Sequence, residues 1–244
     1  MKTEVLFGFH PVYEALNAGR RNIFEIYIAK DKLSARLEKA VSLAESHKIP
    51  VRKIPAMKLK SITGADLHQG IGARTSLYPL ADLSDIIKKP EQNKPFLLLL
   101  DNVSDTHNLG ALVRTALCVG VDGIIIPKDR SVSPTPAVSK ISAGALEHIF
   151  LAQATNMVST IKELKKNGIW ITGMDSSAEQ SIFEADLNCP LAVVVGGEDK
   201  GIRPLVKKNC DFMVSVPQEG AIDSLNASVA GAVVMYEVFR QRRY

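Results

Sequence analysis

The sequence predicts an α/β protein in two parts, a small α/β domain followed by a larger one built on a mostly parallel sheet. Three observations carry that expectation. Short apolar runs alternate with helical stretches along the whole chain, the order of strand–helix units rather than of a bundle or a sandwich. A polar stretch punctuated by Pro79, Pro90 and Pro95 interrupts that alternation early. Beyond it, the runs FLLLL at 96–100 and LAVVV at 191–195 are continuously apolar, as strands covered on both faces are.

Taken in order, Gly8 to Leu16 reads as a turn and a short helix with Pro11 in its first turn. Ile23 to Ala29, Val51 to Ile54 and Ile71 to Leu77 read as strands. Ser34 to His47 reads as a helix capped by Ser34, with Leu37, Val41 and Ala44 on its apolar side. Ala56 to Ile62 is a short helix, and His68-Gln69-Gly70 falls in the turn before the last strand. These elements assign residues 1–78 to the first domain. Residues 79–95 are the linker, with a short helix over Leu83 to Lys88. Residues 96–244 form the second domain. Its expected strands are Phe96 to Leu100, Gly123 to Ile126, Trp170 to Met174, Leu191 to Val195 and Phe212 to Val216. Its expected helices are Asn108 to Val119, Thr155 to Asn167, and Ser224 to about Arg240, with Ser224 and Asn226 at the opening of the last.

Composition narrows the function. At 244 residues, 46% hydrophobic and 23% charged, the chain has the balance of a globular protein with ample core. No apolar run approaches the roughly 20 residues that span a bilayer, and the start has no signal-peptide pattern. The expectation is a cytoplasmic protein without a membrane partner. Cys118, Cys189 and Cys210 are odd in number and lack metal-ligand spacing, so they read as free thiols and no metal is expected. Residues 1–78 hold 13 Lys and Arg against 7 Asp and Glu, a balance of +6 in a chain whose total is +4. A basic first domain beside a slightly acidic remainder fits a polyanion partner.

Three segments at strand ends could carry chemistry. In Asp101 to Arg114 a polar loop opens a helix almost without a polar face, so Arg114 is expected to be buried with an anionic partner and Asn108 to lie at the helix start. After Val195 come Gly196, Gly197 and Glu198. The glycines allow close backbone approach of a ligand, and Glu198 projects from the strand end. Neither a G-x-G-x-x-G nor a P-loop spacing is present, which counts against a dinucleotide-binding domain and a nucleotide triphosphatase. The third segment, Val216 to Gly231, runs from a strand through a polar turn into a helix whose Ala227, Ser228, Ala230, Gly231 and Ala232 are too small for an ordinary core face. Another backbone must approach closely there.

Together NLGALVR at 108–114, GGEDKG at 196–201 and SLNASVA at 224–230 resemble, in order and separation, the three motifs of the SpoU (TrmH-like, SPOUT superfamily) RNA 2′-O-ribose methyltransferases. Gly8, His10 and the His68-Gln69-Gly70 turn resemble the accessory N-terminal domain of the branch that methylates guanosine in 23S rRNA. The resemblance implies a deep trefoil knot in the second domain and a first domain of the L30e-like substrate-binding kind. It implies S-adenosylmethionine as cofactor, held near Thr172, Gly173, Gly196, Gly197, Val216 and Leu225, and a homodimer with the site near its interface. It implies catalytic roles for Arg114, Asn108, Glu198, Ser224 and Asn226, with rRNA as partner. A tRNA-directed methyltransferase and a non-catalytic rRNA-binding or assembly factor are the competing readings. The intact polar set favours the enzyme, and the N-terminal domain favours rRNA.

Overall fold

In the computed structural model the described residues are 2–29, 34–88, 94–129, 131–198, 200–221 and 224–244. In chain order the elements begin with β1 (Thr3–Phe7), α1 (Phe9–Ala18), β2 (Ile23–Ala29), α2 (Ala35–Ser46), β3 (Val51–Ile54), α3 (Ala56–Thr63) and β4 (Ile71–Ser76). They continue with α4 (Leu83–Lys88), β5 (Phe96–Asp101), α5 (Thr106–Val119), β6 (Gly123–Pro127), α6 (Pro136–Ile141) and a 3-10 turn at Ala145–Glu147. The rest are β7 (Leu151–Ala154), α7 (Met157–Lys166), β8 (Trp170–Met174), β9 (Leu191–Gly196), α8 (Pro204–Lys208), β10 (Phe212–Val214) and α9 (Ala227–Arg243).

The chain divides into two compact units. The first is Met1–Pro79 together with Pro134–His148. Its sheet has the order β1-β4-β2-β3, with β4 antiparallel to β1 and β2, and β3 parallel to β2. One face packs Leu6, Ile26, Ile28, Ile71 and Ala73 against Val12 and Leu16 of α1 and Leu37 and Ala40 of α2. The sequence expectation kept 96–244 together, but residues 134–148 group with this first unit. A buried ion pair ties the two segments: Arg21 Nε donates to Glu147 Oε2 at 2.5 Å, with the two side chains 0% and 1% exposed. Ser139 Oγ donates to the other Glu147 oxygen at 2.7 Å.

The second unit, Leu80–Ser133 and Ile149–Tyr244, holds a six-stranded sheet in the order β10-β8-β9-β5-β6-β7. Every pairing in it is parallel. Leu97, Leu99, Ala192 and Val194 pack on one face against Ile161 and Leu164 of α7 and against Ile86 of α4, which is fully buried. Part of the expected linker is therefore core of this unit. On the other side α9 lies on α5, and its Gly231 faces Leu112 and Val195. Chain order turns back between β5 and β9, and the crevice outside the strand ends at such a switch point is where parallel sheets bind ligands. Asp101 and Gly196 are the paired last residues of those two strands.

Several expectations change. The strand β7 and the short β1, α6 and α8 were not legible. β10 stops at Val214 rather than Val216, because Ser215 turns to a bridge with Ser181. α9 is capped by Asn226, not Ser224: Asn226 Oδ1 accepts from the amides of Ser228 at 2.9 Å and Val229 at 3.3 Å. It runs on to Arg243.

Candidate active site

The site is built by three chain segments meeting at the β5–β9 crevice. Asp105 caps α5, accepting from the amides of His107 and Asn108 at 3.2 and 3.3 Å, which fixes Asn108 in the first turn. Asn108 Nδ2 donates to Glu198 Oε1 at 3.0 Å. Asn226 Nδ2 donates to Asn108 Oδ1 at 3.0 Å and also to Glu198 Oε1. Side chains that stand 90 and 118 residues apart from Asn108 thus close one hydrogen-bonded cluster. Glu198 Oε2 takes no hydrogen bond among the described residues, so one carboxylate oxygen remains to accept from a ligand.

Behind the cluster, the turn after β9 is clamped. Asp101 is fully buried, and its carboxylate accepts from the Arg203 amide and from Arg203 Nε, both at 2.8 Å. Gly197 N donates to Asp101 O at 2.9 Å and Gly201 N to Gly197 O at 2.9 Å. Gly196 and Gly197, expected where a ligand approaches backbone, are required first by the chain itself. A Cβ on Gly196 would lie 2.3 Å from the Gly201 carbonyl carbon, and one on Gly197 2.2 Å from Asn102 O.

Two clefts flank Glu198. The first, of about 260 Å³, lies at the ends of β8, β9 and β10, and Gly196, Gly197, Val216, Ser224 and Leu225 line it. So do Met174, Asp175, Ser176 and Gln218, which sequence reasoning missed. Asp175 is ionised: the Lys207 ammonium, then the Ser177 hydroxyl, hold its carboxyl down at about 2. The second cleft, of about 460 Å³, is lined by Asn102, Asp105, Asn108, Lys200 and Arg203. Gly197, Glu198 and Ala227 belong to both walls.

Three expected positions fall elsewhere. Thr172 and Gly173 sit within β8, paired to Phe212 and Met213, and line neither cleft. The strand end that does reach the first cleft is one to four residues later. Thr172 Oγ1 is a buried hydroxyl without a partner among the described residues. Arg114 is exposed rather than buried. It follows Asn108 by six residues, roughly 9 Å along α5 and well round the helix, so its side chain leaves the crevice. It makes no hydrogen bond or ion pair among the described residues. Among those residues no group of three or more His, Cys, Asp or Glu is placed to hold a metal ion.

A clamped Gly-Gly-Glu turn, two asparagines on one carboxylate and two clefts thus meet at the switch point of a parallel sheet, where α/β proteins bind ligands. Comparisons then give the family. Residues 95–236 match the model of the SpoU rRNA Methylase family, and residues 5–81 match that of the RNA 2′-O ribose methyltransferase substrate-binding domain. YacO of Bacillus subtilis (strain 168), named for the TrmH family of tRNA/rRNA methyltransferases, is 41% identical over 98% of this chain and 96% of its own length. The 23S rRNA (guanosine-2′-O-)-methyltransferase RlmB of Ralstonia nicotianae is 40% identical over 99% of this chain and 97% of its own. The SpoU methyltransferase AviRb from Streptomyces viridochromogenes, solved with AdoMet, superposes with a TM-score of 0.84 at 21% identity over 98% of this chain and 89% of that one. The chain belongs to the SpoU rRNA methylase family.

Proposed function

We propose that this protein transfers a methyl group from S-adenosylmethionine to a ribose 2′-OH of RNA, with a guanosine of 23S rRNA as target. One observation carries the reading: Glu198, gripped by Asn108 and Asn226, stands on the wall common to two clefts. Methyl donor and ribose need adjoining sites that meet at one point, and in-line positioning supplies much of the rate.

The first cleft fits the cofactor. Val195, Val214, Val216, Leu225 and Ala230 give it apolar walls for a purine, and the strand ends present main-chain groups for the purine edge. Asp175, ionised, suits ribose hydroxyls or an ammonium. When bound there, S-adenosylmethionine supplies an electrophilic methyl on a sulfonium. The chain's own residues then act on the ribose. As the 2′-oxygen takes the methyl and the carbon–sulfur bond breaks to leave a neutral thioether, Glu198 Oε2 accepts the 2′-OH proton, Asn108 and Asn226 hold the carboxylate in place, and Ser224 and Leu225 border the cofactor side. Arg114 cannot act as a base, because a guanidinium is not deprotonated in proteins. It binds a neighbouring phosphate bidentately and stabilises the developing alkoxide.

Arg114 lines neither cleft of its own chain, and a second copy could bring it to one. Leu117, one turn further along α5, is 38% exposed, and Val229 and Tyr236 on α9 are 48% and 54% exposed. A homodimer that covers these side chains would carry each Arg114 to the partner's site, as C2 symmetry allows. A trefoil knot is part of the same proposal. In its support, α9 approaches at Gly231, where a Cβ would lie 2.4 Å from Leu112, and the turn after β9 is drawn tight by Gly196 and Gly197. No helix among the described residues is long and apolar enough to cross a membrane, and a cytoplasmic enzyme acting on rRNA fits that.

The RlmB relative favours rRNA guanosine, whereas YacO carries a name that leaves tRNA and rRNA open. Mapping of 2′-O-methyl groups in rRNA and tRNA from cells with and without the gene decides the target. Loss of one guanosine methyl in 23S rRNA is expected. Loss confined to tRNA would overturn the target.

A further inference from the structure

A third cleft of the second unit, larger than either of the two described, takes no part in the proposed chemistry. It has a volume of about 1030 Å³ and opens outside the carboxyl ends of β6 and β7, where Pro127 and Ala154 end their strands. That is the edge of the sheet on which the methyl-transfer clefts also open. We propose that it is a subsite for the RNA strand flanking the target ribose, which holds a neighbouring nucleotide by its base and phosphate.

Position is the first argument. Arg203 lines both this cleft and the second cleft beside Glu198, so the two share a wall and a strand can run from one into the other. Arg203 is itself fixed by buried Asp101, yet its side chain is 44% exposed. Chemistry is the second argument. Leu205, 69% exposed, lines the cleft with Pro204 and Val158, apolar side chains suited to a base face. Thr155, Ser159 and Lys162, in and around the first turns of α7, add hydroxyls and a cation to the lining. Lys162 is exposed and makes no ion pair among the described residues. Asp129 is the one carboxylate among the lining residues. Apolar side chains together with hydroxyls and cations are what sequence-tolerant binding of a single strand uses, the former for stacking and the latter for phosphate contacts. The volume stands at the top of the roughly 300–1,000 Å³ range of small-molecule sites, ample for one nucleotide.

This inference rests on the RNA methyl-transfer reading, and the experiment separates the two. Methyl transfer by the full-length protein is measured on an RNA extending several nucleotides beyond the target ribose, and on a fragment trimmed to the target itself. Lys162→Ala and Leu205→Ser should each raise KM for the extended RNA about tenfold, the size of one lost phosphate or stacking contact. The rise should vanish on the trimmed fragment. S-adenosylmethionine affinity by calorimetry reports that the variants are folded. Lys166→Ala, on the same helix but outside the cleft, is the control for loss of charge alone. An unchanged KM, an equal rise with Lys166→Ala, or an equal rise on both RNAs overturns the subsite while leaving the enzyme reading intact. Absence of methyl transfer by the wild-type protein to either RNA overturns both.

Discussion

At the scale of single residues, the site depends on side chains whose partners are remote in sequence. Asp101 shows why part of it was hidden. Its carboxylate ends an apolar run, and nothing local says that Arg203, 102 residues away, will neutralise it. Asn108, Glu198 and Asn226 were legible because each lies in a compact motif at a strand end, and the structure brings all three together. Arg114 was misread for a physical reason. A helix with no polar stripe looks wholly buried, but here its Arg114–Leu117 side is exposed in the single chain. Asp175 offers a titration test. The Lys207 ammonium and the Ser177 hydroxyl lower its carboxyl from 3.8 to about 2. A depressed carboxyl stabilises the fold above its unfolded value and loses that contribution as pH falls through the folded one, here between about 4 and 2. Carbon-detected NMR titration of Asp175 should therefore give a midpoint near 2 in the wild type. In Lys207→Met the midpoint should rise towards 3.8. No movement would mean that the pair is not formed in solution.

At the scale of elements, periodicity and caps located most of the helices and strands, including β2, β3 and β8 to the residue. It missed short elements such as β7, whose four residues LAQA carry too little pattern to read. The small-residue face of α9 was read as a demand for close approach. Its structural counterpart is Gly231, where a Cβ would lie 2.4 Å from Leu112 Cδ2 and 3.5 Å from Val195 Cγ2. Gly231→Val adds three carbons at that contact and forces α5 and α9 apart. Overpacking of this kind costs about 1–3 kcal/mol. Urea unfolding should show a lower midpoint with an unchanged slope. An unaltered midpoint would mean that Leu112 yields without strain.

At the scale of the whole molecule, the division into an N-terminal and a C-terminal part was legible from the Pro-punctuated break. The return of residues 134–148 to the first unit was not. Polar contacts between segments 126 residues apart leave no trace in local pattern. The Arg21–Glu147 pair gives this grouping an energetic test. Removing one partner of a buried pair leaves an uncompensated charge and costs about 3–5 kcal/mol. Arg21→Met should destabilise the protein by about that amount, whereas Arg21→Met with Glu147→Leu should recover most of it. A single variant as stable as the wild type would contradict the buried pair. The same contact bears on truncation. A chain starting near Lys94 would lack both Arg21, the partner of Glu147, and Ile86, part of the second unit's core.

We propose that the Glu198 cluster of one copy and Arg114 of its partner together perform methyl transfer. Complementation tests it most directly. Single-turnover transfer to rRNA is measured for Glu198→Gln, for Arg114→Lys, and for a mixture of the two unfolded and refolded together. Each variant alone should lose 10²-fold or more, about the effect of removing one preorganised catalytic group. Half of the dimers in the mixture pair one variant with the other, and each of these holds one intact site when Arg114 acts across the interface. The mixture should then recover roughly a quarter of wild-type activity, as random pairing under C2 symmetry requires. A mixture no more active than its components would place Arg114 and Glu198 in the same chain's site. Variants that each keep near-normal rates would contradict the assignment altogether.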